Sequence, residues 1–152
     1  MDTNLTGKHA LVCGSTQGIG NAVAMEFARL GARVTLLARN ADKLKAAVAL
    51  LDTRQGQEHG ILAVDMANTD ALQKALAQLM KNGPVDILVN NTGGPPPGLA
   101  HEADTATFAD AFRLHLLSYQ TLVRAVVPHM KEQKSGRIIN VISTSVKQPL
   151  PN

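Results

Sequence analysis

The stretch Cys13-Gly14-Ser15-Thr16-Gln17-Gly18-Ile19-Gly20 follows the apolar run His9-Ala10-Leu11-Val12 and leads into residues of helical period. A strand that turns tightly on glycines and starts a helix has the outline of a dinucleotide-phosphate site. Gly14 lets the chain leave the strand at backbone angles closed to other residues, Gly18 lets backbone approach a pyrophosphate, and Gly20 lets helix and strand pack closely. Ser15, Thr16, Gln17 and Ile19 complete the loop. The helix start then offers unpaired N–H groups and a positive dipole end to an anion. The glycine spacing is G-x-x-x-G-x-G, not the commoner G-x-G-x-x-G, so the rest of the chain has to support the reading.

A chain of 152 residues suffices for one domain with a real core, and a single domain over 1–152 is expected. An apolar fraction of 45% with 18% charged residues is ordinary for a globular chain and argues against disorder. The formal charge is +3, but the fifteen Lys and Arg are scattered and aromatic residues make up only 3%, which argues against nucleic-acid binding. No apolar run approaches the roughly 18 residues that span a bilayer, and the N-terminus has no signal-peptide pattern. Membrane partners are not expected, and a cytoplasmic location is. The single cysteine, Cys13, excludes an internal disulfide and reads as a small buried hydrophobe. Histidines at 9, 59, 101, 115 and 129 show no paired ligand spacing, so no metal is expected.

Along the chain, β-branched apolar runs alternate with helical periods, the pattern of βαβ units around a parallel sheet. The first helix places Ile19, Val23, Phe27 and Leu30 on one face and stops at Gly31. Strands are expected over 33–38, 61–65, 85–89 and 137–142. Asn40 is placed to cap a helix with Leu44, Val48 and Leu51, and Leu72, Leu76 and Leu79 mark another, ended by Asn82-Gly83-Pro84. A long helix over 105–133 carries Phe108, Phe112, Leu116, Tyr119, Val123, Val126 and Met130, with a kink expected at Pro128. Five polar clusters then follow five strands on one sheet edge: the Gly14 loop, Ala38-Arg39-Asn40, Asp65-Met66, Asn90-Asn91-Thr92-Gly93 and Ser143-Thr144-Ser145. Ligands of open α/β sheets bind outside that edge.

With these clusters in place, the chain resembles the short-chain dehydrogenase/reductases, close to the 3-oxoacyl-acyl-carrier-protein reductases. The resemblance rests on the glycine loop, Asp86-Ile87-Leu88-Val89-Asn90-Asn91-Thr92-Gly93 and Gly136-Arg137-Ile138-Ile139-Asn140-Val141, in the family's order and spacing. It implies a three-layer, doubly wound parallel Rossmann-type sheet. Arg39 stands where a cation suits an adenosine 2′-phosphate and an acid would suit a free ribose hydroxyl, so NADP is expected over NAD. Ser15 and Asn40 are further candidate phosphate donors, and the alternative for Arg39 is a solvated surface cation. The resemblance also implies that Asp65 and Met66 flank the adenine and that Asn91 and Gly93 line the nicotinamide ribose. Asn90 and Asn91 equally suit a role in tying strand ends together.

The family resemblance implies hydride transfer with a Tyr acid, a Lys that lowers its pKa, a Ser on the substrate oxygen and an Asn in the long helix. Ser143 matches the Ser, with Thr144 and Ser145 as neighbours. The Asn position holds His115, and no Tyr-x-x-x-Lys occurs, Tyr119 being the sole tyrosine. The expectation is therefore the N-terminal portion of a longer NADP-dependent reductase of a carbonyl substrate such as a 3-oxoacyl thioester. Without its last strands and helices, it would be prone to association through exposed apolar surface. The alternative is a non-catalytic NADP-binding sensor or interaction module. Family members commonly pair through their long helices, which implies a homo-oligomer. The rigid Gly94-Pro95-Pro96-Pro97-Gly98 either walls a substrate pocket or simply connects elements.

Overall fold

The computed structural model describes residues 3–148 except Pro97 and Ala100, so part of the proline loop and the segment from Pro149 onward lie outside the described residues. Five strands, β1 (His9–Cys13), β2 (Arg33–Ala38), β3 (Gly60–Ala63), β4 (Ile87–Asn90) and β5 (Arg137–Asn140), form one sheet of order β3-β2-β1-β4-β5. Every pairing is parallel, with His9 opposite Arg33, Thr35 opposite Gly60, Ala10 opposite Ile87 and Ile87 opposite Arg137. Strand order reverses between β1 and β4, the switch point at which crevices open in doubly wound sheets. The fold class expected from the sequence, a Rossmann-type parallel α/β sheet, is the one observed.

Alternation along β1 feeds two cores. Ala10 and Val12 point into one, where they join Val34, Leu36 and Val89 beneath α1 (Gly18–Arg29) and α2 (Ala41–Val48). Leu11 and Cys13 point into the other, with Leu37 and Leu88 beneath α3 (Thr69–Lys81) and α5 (Ser118–Glu132). Side chains that alternate across a strand and helices on both faces make three layers. Each fully buried Leu or Val contributes about 1.5–3 kcal/mol relative to exposure. Burial pushes the Cys13 thiol up to about 12, against a weaker opposing effect of the Asn91 backbone.

Helix boundaries follow local chemistry. Asn40 Oδ1 accepts from Lys43 N–H (2.9 Å) and Asn68 Oδ1 from Ala71 N–H (3.0 Å), each an N-cap. Gly31, at φ 94°, follows the last turn of α1, where a Cβ would strike Gln55 Oε1 and Thr6 Oγ1. The buried stripe of α1 is Gly20, Ala24 and Ala28, not Ile19, Val23, Phe27 and Leu30; Ile19 is 60% exposed, and Val23 and Phe27 pack only from the side. Small residues win that face because they let the helix axis approach β1 closely.

The long helix is also corrected. It is interrupted at Arg113–Leu117 by a π turn joining α4 (Thr105–Phe112) to α5, whereas Pro128 stays inside α5. Leu122, Val126 and Met130 of α5 are buried, but Phe108, Phe112 and Leu116 lie more than half exposed. A wide turn carries one extra residue, so the apolar stripe before it no longer runs on into the stripe after it.

Candidate functional site

The glycine loop combines left-handed turns with close approach. Gly14 stands at φ 59° and Gly18 at φ 58°, values glycine adopts without steric cost. A Cβ on Gly20 would lie 2.4 Å from Gly14 O, and one on Gly14 would lie 2.7 Å from Asn91 Nδ2. A Cβ on Gly18 would meet no atom within 4 Å. Gln17 precedes α1 in extended conformation and makes no side-chain cap, and the first turn contains no acidic residue. The first N–H groups of α1 and its positive dipole end are thus left unopposed beside open space. Thr16 is half-buried, whereas Gln17, Gly18 and Ile19 are exposed.

Ser15 behaves differently from the rest of the loop. It is fully buried, and both its N–H and its hydroxyl donate to Leu37 O at 3.4 Å, so it ties the loop to β2 rather than offering a free donor. Asn21, which the sequence reading passed over, donates from Nδ2 to Ser15 O (3.2 Å) and braces the same turn. Its only signal in the sequence is an amide one residue past Gly20.

Arg39 leaves the carboxyl end of β2 exposed, and among the described residues its guanidinium has no hydrogen-bond or ion-pair partner. Asn40 spends Oδ1 on capping α2 and keeps its Nδ2 donors. After β3, Asp65 is exposed with Oδ1 accepting from Ala67 N–H (3.0 Å). Met66 turns its side chain into the core and is 6% exposed.

Beyond β4, Asn90 Nδ2 donates to Asn140 Oδ1 (2.8 Å) and ties β4 to β5. Asn91 Nδ2 donates to Cys13 O and Gly14 O, each at 3.3 Å, and staples this segment to the glycine loop. The strand-tying role expected of both asparagines is therefore present. Gly93 is exposed. Between them Thr92, named in the sequence only as part of the cluster, sets Oγ1 2.7 Å from His115 Nδ1 and 3.3 Å from Tyr119 Oη. The His115 and Tyr119 rings meet edge to face at 6.3 Å, and His115 Nε2 is buried without a partner among the described residues. Burial raises the Tyr119 pKa, with the Thr92 bond acting in the opposite direction.

Ser143, after β5, is exposed and accepts from Ser145 N–H (3.1 Å) and Ser145 Oγ–H (2.7 Å) at the head of a short 3-10 turn, Thr144–Val146. Both bonds use oxygen lone pairs, so the Ser143 proton is uncommitted. Among the described residues, no three His, Cys, Asp or Glu side chains gather as a metal site, and no helix is long and apolar enough to cross a membrane.

The residues at this edge suit a dinucleotide carrying an extra phosphate: open backbone and unpaired N–H groups at Gly18 on one side, a free cation at Arg39 on the other. The chain is 37% identical over 150 residues to a short chain dehydrogenase of Pseudocercospora fijiensis, covering 97% of this chain and 48% of that protein. The L-sorbose reductase of Gluconobacter frateurii, solved with NADPH and L-sorbose, superposes with TM-score 0.91 at 34% identity, over 99% of this chain and 57% of that one. A metagenomic short-chain oxidoreductase in complex with NADP superposes with TM-score 0.87 at 34% identity, over 96% of this chain and 66% of that one. The chain spans about half the length of the curated relatives it matches. Residues 8–152 match the short chain dehydrogenase family as a whole, and the chain belongs to that family.

Proposed function

We propose that this chain forms the cofactor-binding part of an NADP-dependent oxidoreductase that interconverts a ketone, such as a 3-oxoacyl thioester, and its alcohol. The observation that carries the reading is Arg39 at the end of β2, unpartnered among the described residues, one strand away from a helix start whose N–H groups are unopposed. NADP, when bound, supplies the nicotinamide carbon that gives or takes the hydride. The turn of residues 14–20 holds the pyrophosphate on its N–H groups past Ser15, and Arg39 with Asn40 Nδ2 takes the 2′-phosphate. Asp65 and the Met66 backbone flank the adenine, and Asn91 and Gly93 line the nicotinamide ribose. Ser143 donates a hydrogen bond from its O–H to the carbonyl oxygen, polarising it and holding it in place while keeping its own proton. The partner is a small carbonyl compound, in a cytoplasmic homo-oligomer paired through the exposed Phe108, Phe112 and Leu116 of the long helix.

A second reading is an NADP-binding sensor without turnover, and the observation that favours it is that the one tyrosine of this sequence, Tyr119, is already bonded to Thr92. Titration with NADPH and NADH, followed by nicotinamide fluorescence, tests the first reading. NADPH should bind at least about tenfold tighter than NADH, and Arg39→Asp should abolish the preference. Equal affinities for the two, unchanged by Arg39→Asp, refute it. Turnover lost in Ser143→Ala at unchanged NADPH affinity separates the enzyme from the sensor.

A further inference from the structure

The residues 91–93 lie past the last sheet pairing of β4, and two side chains fasten them. Asn91 holds one side to the β1 loop. The other side is held by Thr92 through His115, 2.7 Å away, on a different layer of the fold. Beyond Thr92 nothing comparable acts among the described residues: a Cβ on Gly93 or Gly94 would meet none of their atoms within 4 Å, and both residues are exposed. The contact is made from within the π turn Arg113–Leu117. Such a turn forfeits regular helical bonding and tends to persist where a function uses it. Ser118 Oγ–H bonds Leu114 O and so satisfies one carbonyl of the widened turn. Tyr119, one turn beyond His115, closes the group on Thr92 from the same helix.

From these contacts we infer that His115 is a positioning residue: through Nδ1 it holds Thr92, and with it the backbone of Asn91-Thr92-Gly93 against which the nicotinamide end of the cofactor rests. The inference builds on the NADP reading above. Whichever atom carries the proton, the δ nitrogen makes the contact, while Nε2 has no protein partner. That asymmetry makes side-chain chemistry diagnostic. Asparagine presents a polar atom at the δ position, whereas glutamine presents one at the ε position and lacks it at δ.

The test measures two probes on this chain, NADPH and adenosine 2′,5′-bisphosphate, the latter lacking the nicotinamide end. His115→Gln and Thr92→Val should each weaken NADPH by about 5- to 10-fold, the loss of one hydrogen bond, and leave the bisphosphate unchanged. His115→Asn should retain NADPH affinity, and His115→Gln combined with Thr92→Val should be no weaker than either alone. NADPH affinity equal in wild type and all variants, or parallel weakening of both probes, overturns the inference and leaves the NADP reading standing. Rescue by Gln instead of Asn overturns the Nδ1 role. Failure of wild type to bind either probe removes the NADP reading and this inference together.

Discussion

Gly20 and His9 show how much a single position can decide at opposite ends of β1. A methyl group on Gly20 would sit 2.4 Å from Gly14 O and 2.9 Å from Cys13 O, backbone atoms that cannot move aside like a side chain. Gly20→Ala should therefore lower the unfolding free energy by about 1–3 kcal/mol, read from urea denaturation. Stability unchanged within error would show that the loop relaxes freely. His9 is nearly buried, with Nδ1–H donating to Pro84 O (2.7 Å) and Nε2 accepting from the Thr35 hydroxyl (2.8 Å). With Nε2 as an acceptor the ring is neutral, and burial lowers its pKa, aided by Arg33 and opposed by the Pro84 bond and Asp86. Unfolded histidine takes up a proton near pH 6.5, while the folded ring does so only at lower pH, so below about 6.5 the unfolded chain binds more protons. Stability is then full above that pH and falls as pH drops through the window. The urea midpoint should decrease between about pH 7.5 and 5.5, and His9→Gln should flatten the decrease. An equal slope in the variant would assign it to other groups.

Secondary-structure elements place the site by where they begin and end. Asn40 caps α2 through Oδ1, and its Nδ2 is the proposed phosphate donor. Asn40→Asp keeps a capping oxygen and places an acid in the helix's first turn, so thermal stability should hold. The same change removes the amide donors and adds a negative charge, so NADPH affinity should fall by about tenfold or more. Weakened stability with unchanged affinity would confine Asn40 to capping. The cap itself was legible from an Asn before a helical period, as were the ends of α1 at Gly31 and α3 at Asn82. The π turn was not. Phe108, Phe112, Leu116 and Tyr119 keep a spacing that reads as one continuous stripe, and nothing in that spacing reports an inserted residue.

Across the molecule, burial is uneven. β1, β4 and most of β2 are enclosed, while all four residues of the edge strand β5 are exposed, with Ile138 at 37% and Ile139 at 44%. Ile142 beyond it is 65% exposed. An apolar, unpaired strand edge is a template for pairing with another chain. Light scattering should show concentration-dependent association, which Ile139→Lys reduces without shifting the NADPH affinity. A wild-type chain that stays monomeric at high concentration would count against this.

The order of strands and helices, the glycine turn, the Asn40 cap and the five polar clusters were all readable from the sequence. They depend on local patterns: apolar runs, glycines that free the backbone, and amides that satisfy helix ends. Tertiary packing decided which of those residues remain available. It turned Ser15 into the sheet and Met66 into the core, left Arg39 unpaired, and joined Thr92 to His115 across more than twenty residues of chain. Spacing along the chain reports which face a residue takes on its own element, but whether a polar atom there is free or already bonded depends on the element packed opposite.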